Sequence, residues 1–347
     1  MPAKHTHILL IRFSAMGDVA MTVPVIKELL LNYPSLTITI VSNKSFEAFF
    51  KDVERLNFFP ADLKGIHKGF PGLFSLFLQI KKRHAITAVG DLHNVIRSKI
   101  LGSFFRLSGL PVSTIDKGRK EKRELVRKEQ KIFRPLKTTH QRYADVLYRL
   151  GYSFVLSNKV ERKKQLTLAN GVLHFLAGMK REMICIAPFA KHKEKMYPWD
   201  KIREVVETLA AEKFDIVLLG GGKEEKLLLE QLAHEVPNIF SAAGRFTLEE
   251  EMQIIQNCSL MVSMDSANMH LAALLGVPVI SIWGATHPFA GFLGYGLTEN
   301  NAVQIDLSCR PCSVFGNKPC WRGDHACMNA ITPAMVLDKI HKIFTGV

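Results

Sequence analysis

The 347-residue chain contains no apolar run of the roughly 18 residues that a membrane-spanning helix requires; its stretch 72–80 is far shorter. It also lacks the apolar core of a secretory leader, because the first such block, Ile8 to Ile11, is cut by Arg12. There is no low-complexity tract, no sequence repeat and no GxGxxG, which argues against a dinucleotide site. Cysteine is scarce: six residues in a chain of this length do not make a disulfide scaffold, and Cys185 and Cys258 sit in apolar surroundings that read as core. Carboxylates are short as well, with 32 Asp and Glu against 46 Lys and Arg, a net charge of +14. These absences leave a globular chain expected in the cytoplasm. The charge implies an anionic partner, whether nucleic acid, a phosphorylated small molecule or an anionic membrane surface.

Apolar residues make up 47% of the chain, enough for two ordinary domains. Short apolar runs at 5–13, 36–42, 85–91 and 111–115 read as strands, with helical stretches at 73–83 and 94–107 among them. The scheme recurs at 184–190, 215–221, 238–244, 260–265 and 277–284. A helix is expected to open at Thr247, where Glu250 completes a capping box, and the helix 266–275 to close at Gly276. Alternating strands and helices predict an α/β protein of two doubly wound parallel-sheet domains, residues 1–162 and 163–347, with the boundary in the polar stretch 157–165. Ligands of such sheets bind beyond the carboxyl ends of the strands, so the informative residues should follow strands, in a crevice that the two domains face.

Five post-strand segments are therefore candidates. SAMGDVA (14–20) puts Asp18 where it could either point at a ligand or cap the next helix. SMDSANMH (263–270) joins a strand to a helix whose small first residues, Ser266 and Ala267, would let a phosphate reach backbone N–H groups; Asp265 could equally be a simple N-cap. The loop 187–202 carries Lys191, Lys193 and Lys195, suited to a diphosphate or merely solvated. GGGKEE (220–225) offers Glu224 or Glu225 to ribose hydroxyls. The segment 117–137 holds ten basic and three acidic residues, about half of the whole excess, with little aromatic interleaving for bases. A phosphorylated lipid suits it equally well. Further on, Cys309, Cys312, Cys320 and Cys327 begin as a CxxC pair, but their later spacing matches a zinc ribbon only loosely.

In combination these motifs resemble glycosyltransferase family 9, the ADP-heptose:lipopolysaccharide heptosyltransferases. The likeness runs through SAMGDVAMTVPVIKELL, DLHNVIRS (91–98), the KGR/EKR segment, KMYPW (195–199), GGGKEE, the block 263–288, the cysteine segment and ITPAMVLDKI (331–340). It implies a GT-B fold and an inverting, metal-independent transfer with no cofactor, the N-terminal domain taking the acceptor and the C-terminal domain the nucleotide sugar. By the same resemblance Asp18 is the catalytic base and Lys195 meets the diphosphate. Ser266, Ala267 and Asn268 form the phosphate cradle with Asp265 and His270 beside it, and Glu224 or Glu225 holds the ribose. Arg97, Lys117, Arg119, Lys122 and Arg123 are assigned to an anionic lipopolysaccharide precursor at the inner-membrane surface. Two positions depart from the family pattern. Asp265-Ser266-Ala267 stands where Asp-Thr-Gly is usual, keeping a hydroxyl and a small residue, and Tyr197 stands where tryptophan is usual.

The donor is expected to be ADP-linked and the chain a monomer, at most peripheral on the cytoplasmic face of the inner membrane. The alternatives are a family 9 enzyme using another nucleotide sugar for a different surface glycan, or a basic nucleic-acid-binding protein. No nucleic-acid motif supports the latter, and nucleic acid is not an expected partner.

Overall fold

The computed structural model describes residues 6–162 and 168–345; the expected start of the second domain, residue 163, lies outside them. Contacts divide the chain into two compact units. The first comprises Met1–Arg119 and Lys137–Asn158, the second Lys120–Leu136 and Lys159–Val347.

The first unit is built on five parallel strands: β1 (His7–Ile11), β2 (Thr37–Ser42), β3 (Leu56–Pro60), β4 (Ala88–Asp91) and β5 (Val112–Thr114). Their order is β3-β2-β1-β4-β5. β1 is buried along nearly its whole length, as a strand with neighbours on both edges and helices on both faces must be. Its side chains pack with Leu73, Leu76 and Ile80 of the helix Gly69–Arg83 and with Leu101 and Phe105 of the helix Ile96–Leu107.

The second unit holds six parallel strands: β6 (Glu182–Ala187), β7 (Phe214–Leu218), β8 (Ile239–Ser241), β9 (Leu260–Met264), β10 (Val279–Ile282) and β11 (Ala302–Val303). They lie in the order β11-β10-β9-β6-β7-β8. Read from the other edge, this repeats the first sheet's pattern. In both, the first strand of the unit is flanked by its second and fourth, so the winding reverses there. The loops after β1 and β4, and after β6 and β9, therefore diverge from a gap at the carboxyl edge of each sheet, the place where doubly wound folds bind ligands.

Local chemistry sets the element ends. Thr247 accepts the Glu250 N–H while the Glu250 carboxylate accepts the Thr247 N–H, the expected capping box. Gly276 adopts φ +70°, and a Cβ there would meet the backbone of Arg162 at 2.8 Å, so glycine is required on two counts. Cys185 and Cys258 are fully buried in the core as read, and their sulfurs are joined as a disulfide. Among the described residues no helix is long and apolar enough to cross a membrane.

Candidate active site

In the first unit the reversal point collects charge. β1 ends at Ile11, and the next residue, Arg12, is 6% exposed although it is an arginine. Its guanidinium donates to the Leu92 carbonyl at 2.8 Å, lies over the Tyr143 ring and pairs with the Asp18 carboxylate at 2.6 Å. Asp18 sits in the short helix Met16–Ala20, where it also accepts the Ala15 N–H at 3.3 Å. Asp18 is the third residue of the helix and Ala15 its N-cap, so Asp18 closes the helix start from within, by accepting the Ala15 N–H, and its carboxylate stays partly exposed. The Tyr143 hydroxyl, whose pKa burial pushes above its ordinary value, donates to the Asp18 carbonyl at 3.1 Å.

Asp91, at the end of β4, is consumed structurally. Its carboxylate accepts the N–H groups of His93 and Asn94 and the Ser98 hydroxyl. His93 accepts the Phe13 N–H on Nδ1 at 3.3 Å. Burial, then the nearby Arg12 and Lys117 charges, lower its pKa to about 3, so it is a neutral ring at physiological pH. Lys117 is half-buried and its pKa is lowered, first by burial and then by Arg12 and Arg119.

The other expected acceptor residues are dispersed. Arg97 is exposed near the start of the helix Ile96–Leu107, and Arg119 and Arg123 are exposed on the helix Arg119–Leu125. Lys122 is buried, its ammonium 4.1 Å from the centroid of the Phe292 ring. Lys122 and Arg123 fall in the second unit, Arg97, Lys117 and Arg119 in the first.

In the second unit the loops after β6, β9 and β10 converge. Lys195 ends the single turn Lys193–Lys195, and its ammonium pairs with the buried Asp265 carboxylate at 2.9 Å. The Ala285 N–H, after β10, donates to the Glu194 carbonyl at 3.4 Å and ties the third loop in. Ser266 is the N-cap of the helix Ala267–Leu274, but its side chain does not cap. That hydroxyl, like the Thr286 hydroxyl, is buried with no hydrogen-bond partner among the described residues. Ala267 and Asn268 form the partly exposed first turn, whose N–H groups have no acceptor within the helix; His270 is buried one turn further in.

The glutamate pair is separated by geometry. The Glu225 carboxylate accepts the N–H groups of Gly221 and Gly222 and closes the start of the helix Lys223–Glu235, whereas Glu224 is exposed. Gly316, at φ +72°, lies against the Lys195 side chain so closely that a Cβ would collide with its Cγ and Cδ.

Arg12, Tyr143 and Gly316 were not among the residues selected from sequence. A charge closing an apolar strand was a signal for Arg12. Nothing local marks Tyr143 or Gly316, whose partners lie 125 and 121 positions away. The four C-terminal cysteines are free thiols, and burial raises the pKa of Cys327 to about 11. Among the described residues no three His, Cys, Asp or Glu are grouped so as to hold a metal ion.

The sequence profile of glycosyltransferase family 9 (heptosyltransferase) matches residues 120–318, more than half of the chain. The chain belongs to glycosyltransferase family 9. It is 30% identical over 113 residues to lipopolysaccharide heptosyltransferase 3 of Escherichia coli, covering 32% of this chain and 33% of that protein. It is 22% identical over 290 residues to the lipopolysaccharide core heptosyltransferase OpsX of Haemophilus influenzae, covering 81% and 80%. The matched stretch thus spans only a third to about two fifths of the length of several curated relatives. Among solved structures, a family 9 glycosyl transferase from Veillonella parvula superposes with TM-score 0.75 at 17% identity, over 99% of this chain and 98% of that one. The E. coli heptosyltransferase WaaC, solved with ADP, gives 0.67 at 19%, over 97% and 99%. These likenesses establish the expected GT-B class for this family 9 chain.

Proposed function

We propose that this family 9 chain is an inverting, metal-independent glycosyltransferase that moves a heptose from ADP-heptose to a lipopolysaccharide core or lipid A acceptor. The observation that carries the reading is the Lys195–Asp265 pair at the carboxyl edge of the second sheet, beside a helix start that no side chain caps. A cation and unsatisfied N–H groups in one place suit a diphosphate. The buried Ser266 hydroxyl adds a donor without a protein partner among the described residues. Glu224 takes the ribose, because the Glu225 carboxylate is already occupied by its own helix start. The relative WaaC was solved with ADP and with ADP-2-deoxy-2-fluoro heptose, which supports an ADP-linked donor.

In the proposed step the Asp18 carboxylate takes the proton of the acceptor hydroxyl, whose oxygen attacks the anomeric carbon. The bond from that carbon to the diphosphate breaks, and the electron pair departs on the phosphate oxygen. Lys195 and the helix start at Ser266 neutralise it. Arg12 keeps Asp18 oriented, and Arg97, Lys117, Arg119 and Arg123 draw in the anionic acceptor. Lys122 is left to packing against Phe292.

Thermal-shift titration of the wild type and Asp18→Ala tests this. ADP at 100 times its Kd should stabilise both by about 2.7 kcal/mol, UDP and GDP neither. Transfer by Asp18→Ala should fall by about 10²–10⁴-fold. A response to UDP or GDP instead would reassign the donor, and near-normal turnover would remove Asp18 from the mechanism.

A further inference from the structure

Between residues 63 and 115 the chain carries eight lysines and arginines but one carboxylate, Asp91, and that one is buried. This stretch contains the helices Gly69–Arg83 and Ile96–Leu107, which pack side by side on the first sheet. The inner face of the first helix is conventional: Leu73, Leu76, Phe77 and Ile80 enter the core. The outer face is not polar. Phe70, Phe74 and Leu78, spaced by four and so on one helical stripe, are 62%, 44% and 48% exposed, and Ile66 in the preceding turn is 73% exposed. The second helix continues the patch. The Phe104 ring meets Phe70 at 5.2 Å and Phe74 at 5.3 Å, and Ile96 and Leu107 stand exposed at its two ends. Exposed cations frame this surface, Lys68 at the start of the first helix, Lys81 and Lys82 at its end, Lys99 on the second.

We propose that this face docks on an anionic lipid bilayer, with Phe70, Phe74 and Leu78 entering the boundary between headgroups and acyl chains. An aromatic and aliphatic stripe flanked by lysine, on two helices that carry no Asp or Glu, is the composition of a surface lying in a membrane interface; the exposed Asp62 closes the preceding turn at its edge. A protein partner acidic enough to match the cations would not also offer apolar depth for three large side chains along one helix. An anionic bilayer offers both. The stripe Phe70, Phe74 and Leu78 lies outside the residues assigned to transfer, of which only Arg97 is on the neighbouring helix, and docking is read without donor or acceptor, so neither proposal's failure decides the other.

Flotation of the full chain with vesicles tests it. Binding is expected to phosphatidylglycerol–phosphatidylcholine vesicles, and to weaken steeply at high salt. The variant Phe70→Ser/Phe74→Ser/Leu78→Ser should partition at least about tenfold more weakly, with an unchanged response to ADP as evidence of folding. Phe70→Trp, a conservative reporter, should show blue-shifted emission on adding these vesicles. Equal binding of the triple variant, equal binding to pure phosphatidylcholine, or an unshifted Phe70→Trp emission would each overturn the proposal. So would failure of the wild type to float while the triple substitution converts a dimer to a monomer, which would make the face a contact between two copies of this chain.

Discussion

The ion pairs at both sheet edges depend for their orientation on a neighbour with no charge of its own. Lys195 is held toward Asp265 in part because Gly316 leaves space for its side chain. Gly316→Ala adds a methyl group where the Lys195 stem runs and also strains a left-handed backbone, at roughly 1 kcal/mol for the strain alone. We expect this variant to bind ADP about tenfold more weakly by calorimetry. Gly323→Ala is the control, since Gly323 has φ +80° but nothing within 4 Å of a Cβ. It should show the backbone cost as a lower Tm and keep its ADP affinity. At this scale the sequence was legible where a residue acts through its own loop. Asp18, Lys195, Asp265 and Ser266 all follow strands as read. It was not legible where a residue acts through a distant partner. The burial of Lys122 over Phe292 shows the limit, because a dense basic run carries no mark of which lysine turns inward.

Among the elements, the segment 120–136 is helical only as far as Leu125 and is tied down beyond it. Lys131 donates to the carbonyls of Ser308, Cys309, Arg310 and Pro311, at 2.8–3.2 Å. Leu125 and Leu136 bury themselves against Ala290. The three N–H groups of one ammonium are thereby shared among four carbonyls of the cysteine-bearing loop, and Arg310 in that loop is itself buried and bonded to the carbonyls of Gly284, Trp283 and Thr286. Lys131→Met should cost about 1–3 kcal/mol and open the segment to trypsin after Arg127 or Lys128. Limited proteolysis followed by mass spectrometry reads this directly, and an unchanged digestion rate would show that the apolar contacts suffice. Elements with long apolar runs, such as β1, β6 and β9, were readable because burial on both faces leaves that signature. β3, with the sequence LNFFP, was missed: it is an edge strand, alternately exposed, and ends in proline.

Over the whole molecule, the excess of 46 − 32 = +14 charges is unevenly spread, concentrated in 117–137 and in the carboxylate-poor stretch 63–115. A field of one sign raises the encounter rate with an anionic acceptor more than it strengthens a bound donor. Replacing Arg97, Lys117, Arg119 and Arg123 together by alanine should raise the acceptor KM by about tenfold or more and leave the donor KM within about twofold. Steady-state kinetics with each substrate varied separately decides this, and parallel movement of both constants would reject the acceptor assignment. Sheet order was the part of the architecture that no periodicity could supply. Which strand lies beside β1 or β6 is a matter of long-range pairing, and only that pairing places the loops after β4 and β9 next to those after β1 and β6.

The routing of the backbone has a practical corollary. The chain leaves the first unit after Arg119, returns at Lys137 and leaves again after Asn158. Arg142 bonds the Asp116 and Lys137 carbonyls and so clasps the exit to the return. A gene cut once, after codon 158, would therefore not yield two self-sufficient halves. The downstream piece would be born without the lysine plug and the two leucines that cover its own loops. Splitting this chain into independently expressible parts calls for carrying 120–136 across by circular permutation or supplying it as a peptide in trans.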